Sequence, residues 1–177
     1  METVTFSKVY NYKTNDGRFC YINGVDKNVY ITVPECTVVF DVDYSAHRPQ
    51  LVITTKGTDI IPAIESLNTQ IIDHVSQNIF TKSRDIVKEL YCSPIKRSLV
   101  KRKYVDTLKT KVCTTSQIPL PRGTKVSLKI HVSGVWFSAD SYGPYLDVVD
   151  MNVLEVFTPP KNVYMFVDEH SESEIEI

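Results

Sequence analysis

The sequence predicts an α+β protein, mainly β: an OB-like β-barrel with one or two helices inserted at about residues 59–91 and an acidic C-terminal tail. Three observations predict it. Short runs rich in β-branched and aromatic residues fill the first 55 positions. A helical period replaces them over residues 58–91. Two long strand-type segments follow residue 124, over 125–137 with apolar–polar alternation and over 145–156. With 177 residues, 42% hydrophobic and 23% charged, the chain has the length and composition of one globular domain. We expect that domain over residues 1–167 and a flexible acidic tail over 168–177. No internal repeat is visible.

The elements follow in order. Phe19, Tyr21, Val25, Val29, Ile31 and Val33 lie in short β-type runs, separated by Asn15-Asp16-Gly17, Asn23-Gly24 and Asp26-Lys27-Asn28. Gly17 suits a hairpin turn because it reaches positive φ without steric cost. Residues 36–44 and 51–55 continue the pattern. Thr58 or Asp59 can cap a helix, and Pro62 falls in the first turn, where it is tolerated. Ile60, Ile64, Leu67, Ile71, Val75 and Ile79 then form one apolar stripe to about Asn78. A shorter helix is expected over 83–91, ending before Ser93-Pro94. Residues 96–111 are basic and weakly patterned. Over 125–137, Val126, Leu128, Ile130 and Val132 mark one face of a strand and Lys125, Ser127, Lys129 and His131 the other. A loop over 138–144 leads to a second long strand over 145–156, and a last apolar run spans 163–167.

The net charge of −1 excludes a uniformly basic coat, yet the charge is unevenly spread. Residues 82–112 hold ten basic and three acidic side chains, a net +7. The last ten residues hold Asp168, Glu169, Glu172, Glu174 and Glu176 with no Lys or Arg, a net −5. Within the basic segment, Lys96, Arg97, Lys101, Arg102, Lys103, Lys109 and Lys111 are interleaved with Tyr91 and Tyr104. Phosphates attract cations and unstacked bases need flat π-faces, so one segment offers both halves of a single-strand site. Trp136, Phe137, Tyr142 and Tyr145 flank one hairpin loop, and Tyr10, Tyr12, Phe19 and Tyr21 another. The tail looks like the acidic, apolar-ended tails of bacterial and phage single-stranded-DNA-binding proteins. Such a tail can compete with nucleic acid for a basic groove or dock replication proteins.

Nothing in the pattern calls for a metal or cofactor. Cys20, Cys36, Cys92 and Cys113 are widely spaced and form no zinc motif, so free cysteines half buried on strands are expected. Asp41 and Asp43 stand two apart on an expected strand and so would share a face. No bilayer-length apolar run and no signal-peptide pattern is present, which places the chain in a reducing, intracellular compartment by expectation.

Ser93-Pro94-Ile95-Lys96, Tyr104 to Val112, Val126 to Trp136 and Tyr142-Gly143 together resemble the core of the single-stranded-DNA-binding proteins of large double-stranded DNA viruses. The resemblance spans residues 91–157; Pro144 and Asp147 depart from it, standing where that family tends to apolar or basic residues. It implies an OB-fold-like, non-enzymatic protein that coats single strands during viral DNA replication or recombination, in the host nucleus or a viral replication site. Lys96, Lys109, Lys111, Trp136 and Tyr142 carry over as nucleic-acid-binding residues. Lys101, Arg102 and Lys103 join them on charge alone. RNA binding and homo-oligomers are left open.

Two alternatives come from other classes. His74-Val75-Ser76 and His131-Val132-Ser133 are two copies of His-x-Ser, the motif that 2H phosphoesterases use in pairs, each His as acid or base and each hydroxyl on the phosphate. That chemistry needs the motifs to face each other from strands, and His74 falls in the helical stripe. The other alternative is a viral structural or interaction module whose aromatic loops make oligomer contacts.

Overall fold

The computed structural model describes residues 3–12, 17–25, 28–45, 49–56, 58–100, 102–113 and 118–158. The acidic tail, the run at 163–167, Lys101 and the Asn15-Asp16 turn lie outside them. In chain order the elements are β1 (Thr5–Phe6), β2 (Tyr10–Asn11), β3 (Arg18–Asn23), β4 (Tyr30–Thr37), β5 (Gln50–Thr54), α1 (Ile60–Asn78), α2 (Arg84–Glu89), β6 (Ile95–Val100), β7 (Lys103–Val112), β8 (Lys125–Phe137) and β9 (Tyr142–Glu155). The fold is mainly β with two inserted helices, as the sequence predicts.

Five strands close on themselves. β4 lies antiparallel to β8, β8 to β9, β9 runs parallel to β7, and β7 pairs antiparallel with β5. Val38, one residue past β4, bridges to Ile53 of β5, and the Val39 amide donates to the Val52 carbonyl at 2.8 Å. This circuit is a small mixed barrel, consistent with the OB-like architecture expected. Closure leaves Val33, Leu51, Ile53, Leu108, Val126, Ile130 and Val148 with no more than 1% exposure. Two ribbons extend it: β3 pairs with the second half of β8 and carries β1 and β2, and β6 pairs with β7.

Helix α1 forms where the apolar stripe requires. Ile64, Leu67, Ile71 and Val75 are fully buried in the same core. Pro62 sits in the first turn. Asp59 occupies the N-cap position but makes no side-chain capping bond, and Thr58 Oγ1 instead donates to the Thr55 carbonyl at 2.8 Å. Helix α2 is shorter than expected, with Ser83 at its N-cap position and Val87 buried.

Several expectations are corrected. The strand expected over 36–44 ends at Thr37, and Asp41 and Asp43 lie in a loop. The Asp41 carboxylate accepts the Arg122 amide at 2.6 Å, and Asp43 accepts the amide and hydroxyl of Ser45 at 2.9 and 2.6 Å. They shape loops and share no strand face. Within residues 96–111, β6 and β7 pair antiparallel as a hairpin ribbon. Their pattern was illegible because the ribbon is solvated on much of both faces and its turn lacks an Asn-Gly signal. None of the four cysteines is in a disulfide, but only Cys20 and Cys36 are buried on strands; Cys92 and Cys113 are exposed off them. Among the described residues no helix is long and apolar enough to cross a membrane.

One irregularity decides what faces outward. Up to Val132, the even positions of β8 point into the barrel, as alternation predicts. The register shifts between Val132 and Gly134. Such a bulge reverses the parity of everything beyond it. Val135 and Phe137 therefore point in, and Trp136 points out.

Candidate nucleic-acid interface

The β6–β7 hairpin sorts the basic segment onto two faces. Alternation along β7 puts Lys103, Thr107, Lys109 and Lys111 on one face, and the register Lys96↔Thr107 adds Lys96 to it. Among the described residues neither Lys96 nor Lys109, both exposed, has an acidic partner. Lys109 is fixed through its backbone, its amide donating to the Pro94 carbonyl at 3.0 Å.

Lys96, Lys109 and Lys111 meet Trp136 in one cleft of about 290 Å³. Pro94 of the β6 approach and Pro144 of β9 form apolar walls, with Tyr145 at one side. Trp136 reaches it because of the bulge, and its indole lies over Gly143 of β9. A Cβ at Gly143 would come within 3.0 Å of the ring and 2.8 Å of the Cys92 carbonyl oxygen, so only glycine admits this seat. Cationic rim and flat apolar floor together suit an anion carrying an aromatic ring.

Beyond Tyr145 lies a second cleft of about 250 Å³, lined by Tyr12, Phe19, Tyr21 and Ser133. It exists because β3 approaches β8 at Gly134, where a Cβ would stand 2.2 Å from the Cys20 carbonyl oxygen. The rings brace one another: Phe19 lies 4.9 Å from Tyr12, 5.1 Å from Tyr21 and 5.5 Å from Tyr10 between centroids. Tyr145 is held at both ends, its hydroxyl sharing a 2.7 Å hydrogen bond with that of Tyr12 and its ring lying 4.9 Å beneath Lys111 Nζ. Asp147 also lines this cleft, accepting the Ser133 hydroxyl at 2.6 Å and the Cys113 thiol at 3.5 Å. Farther along the outer face of β8, Lys129 Nζ sits 4.4 Å over Tyr30, whose ring is 5.2 Å from His131.

The residues expected from sequence therefore separate. Lys96, Lys109, Lys111 and Trp136 converge. Lys103 shares their face, six residues and so about 20 Å from Lys109 along the strand. Arg102 sits at the hairpin turn with φ 65°, a left-handed conformation that costs a non-glycine residue strain. Arg97 and Tyr104 turn to the opposite face and stack on each other at 5.3 Å. Lys101 lies outside the described residues. Tyr142 is corrected: its hydroxyl donates to the Val87 carbonyl at 3.0 Å, and its fully buried ring packs among Phe80, Tyr91 and Phe137, so no base reaches it. Burial pushes the Tyr142 and Tyr91 phenols upward and keeps both as protonated donors. Tyr145, half-buried, takes the outward-facing place. The two tyrosines are three apart on β9 and so face opposite sides; reading 138–144 as loop hid this. Phe19 and Tyr21 were findable, because they alternate with buried Cys20 and Ile22.

The two His-x-Ser motifs occupy unlike settings. His74 is on α1, stacked on Phe6 at 4.1 Å, and burial lowers its pKa. The Ser76 hydroxyl donates to the Asp73 carbonyl at 3.0 Å. His131 is on β8 beside Tyr30, and Ser133 is bonded to Asp147. The paired-strand geometry that phosphoesterase chemistry needs is not formed, because one motif is helical. Among the described residues no group of three His, Cys, Asp or Glu side chains is placed to hold a metal.

No protein-family model matches the chain, and no curated protein matches it by sequence. Among solved structures it is similar to gp2.5, a single-stranded DNA binding protein encoded by bacteriophage T7, at 12% identity and a TM-score of 0.39, over 76% of this chain and 96% of that one. At that score the likeness carries no weight for function, which rests on this chain's own residues.

Proposed function

We propose that this chain binds single-stranded DNA without sequence preference, through the outer face of its barrel. One observation carries the reading: Lys96, Lys109 and Lys111 share a cleft with Trp136, joining phosphate-neutralising charge to a stacking surface. The braced aromatics beyond Tyr145 extend that surface. Coating of strands exposed in viral DNA replication or recombination, and contact with replication proteins through the acidic tail, belong to the same proposal and rest on the resemblance over residues 91–157. The exposed lysines make the interaction electrostatic and salt-sensitive, while π-stacking is indifferent to base identity.

The test is direct because Trp136 is the only tryptophan. Oligo-dT should quench its fluorescence saturably, with affinity that falls as salt rises. Duplex DNA of the same length should quench far less, since its bases are already stacked. Failure of oligo-dT to bind at low salt refutes the reading.

A further inference from the structure

The two clefts share a single wall, the ring of Tyr145. We propose that Tyr145 is a divider between successive nucleotides: one base of the bound strand enters the Trp136 cleft, the next enters the Tyr12–Phe19–Tyr21 cleft, and the Tyr145 ring stands between them. This rests on the single-strand-binding reading above and adds a register to it.

Size, rigidity and charge support the divider. The clefts, at about 290 and 250 Å³, each have room for a base, and Tyr145 is the residue that lines both. A side chain that parts two stacked bases must not yield, and Tyr145 is fixed by the Tyr12 hydroxyl and by Lys111 over its ring. The lysines lie on the first side and Asp147 on the second. The phosphate joining the two nucleotides therefore belongs at the lysine rim, and the second cleft takes the neutral base while its carboxylate repels backbone.

The experiment uses oligo-dT strands in which an adjacent pair of 2-aminopurines is scanned along the chain. Stacked with each other, the two analogues give an exciton band in circular dichroism; parted, they lose it. With full-length protein at saturation, established by anisotropy, the band should be lost for at least one placement. Tyr145→Leu should bind about tenfold more weakly and, at saturation, leave the band in place. Tyr145→Phe keeps the ring and should still suppress it. A band that survives in the parent complex overturns the divider while leaving strand binding intact, as does equal loss with Tyr145→Leu. If Tyr145→Leu does not fold, return of the band with Tyr145→Phe overturns it. Absence of any anisotropy change would overturn the binding reading and the divider with it.

Discussion

Replacing Lys96 and Lys109 together by Gln removes two charges from the cleft and keeps an unbranched polar side chain one atom shorter. Both are exposed and neither has an acidic partner among the described residues, so stability should change by no more than about 0.5 kcal/mol. The effect on binding follows from counterion release. For single strands the slope of log affinity against log salt is about −0.7 per phosphate neutralised, so three lysines give about −2. Between about 50 and 200 mM salt the parent should then lose about 20-fold in oligo-dT affinity, and the double variant, with Lys111 remaining, about threefold. Trp136 fluorescence reads both titrations, and thermal unfolding controls for the fold. A slope near −2 in the double variant would refute the assignment of these lysines to the interface. A salt-independent parent would refute the electrostatic argument altogether.

Other outcomes follow from the same geometry. Tyr142→Phe strips a buried hydrogen bond and orphans the Val87 carbonyl; it should cost about 1–3 kcal/mol in denaturant unfolding and leave dT affinity unchanged, whereas a weakened affinity would return Tyr142 to the interface. Burial pushes the Cys20 thiol up to about 11 and that of Cys36 to about 12, so at neutral pH a thiol reagent should label Cys92 and Cys113 in the native protein and all four only after unfolding. Bound oligo-dT should protect Cys92, which lines the Trp136 cleft; undiminished labelling at saturation would move the strand elsewhere. Truncation after Val167 removes five carboxylates and no Lys or Arg, so dT affinity should rise at low salt and rise less at high salt; no gain at low salt would rule out competition by the tail.

Much of this was legible in the chain. The apolar stripe of α1 from Ile60 to Val75 and the alternation of β8 up to Val132 are local patterns, and burial follows directly when one face of an element must leave water. The partition of charge was equally legible, since it needs only counting. Local pattern also led astray where a local rule had a non-local exception. The bulge after Val132 is invisible in a run of Ser, Gly and Val, yet it turns Trp136 from core to surface.

The sequence by itself determined the fold class, the inserted helix, the concentration of cations between residues 82 and 112, and the supply of aromatic rings. Tertiary structure decided which of them meet. Barrel closure and the β6–β7 pairing bring Lys96, Lys109 and Lys111, from two strands, to a tryptophan 25 or more residues away. The same pairing turns Arg97 and Tyr104 to the other face. Register also exchanged Tyr142 for Tyr145, because residues three apart on a strand point to opposite sides and only strand pairing fixes which side is the core.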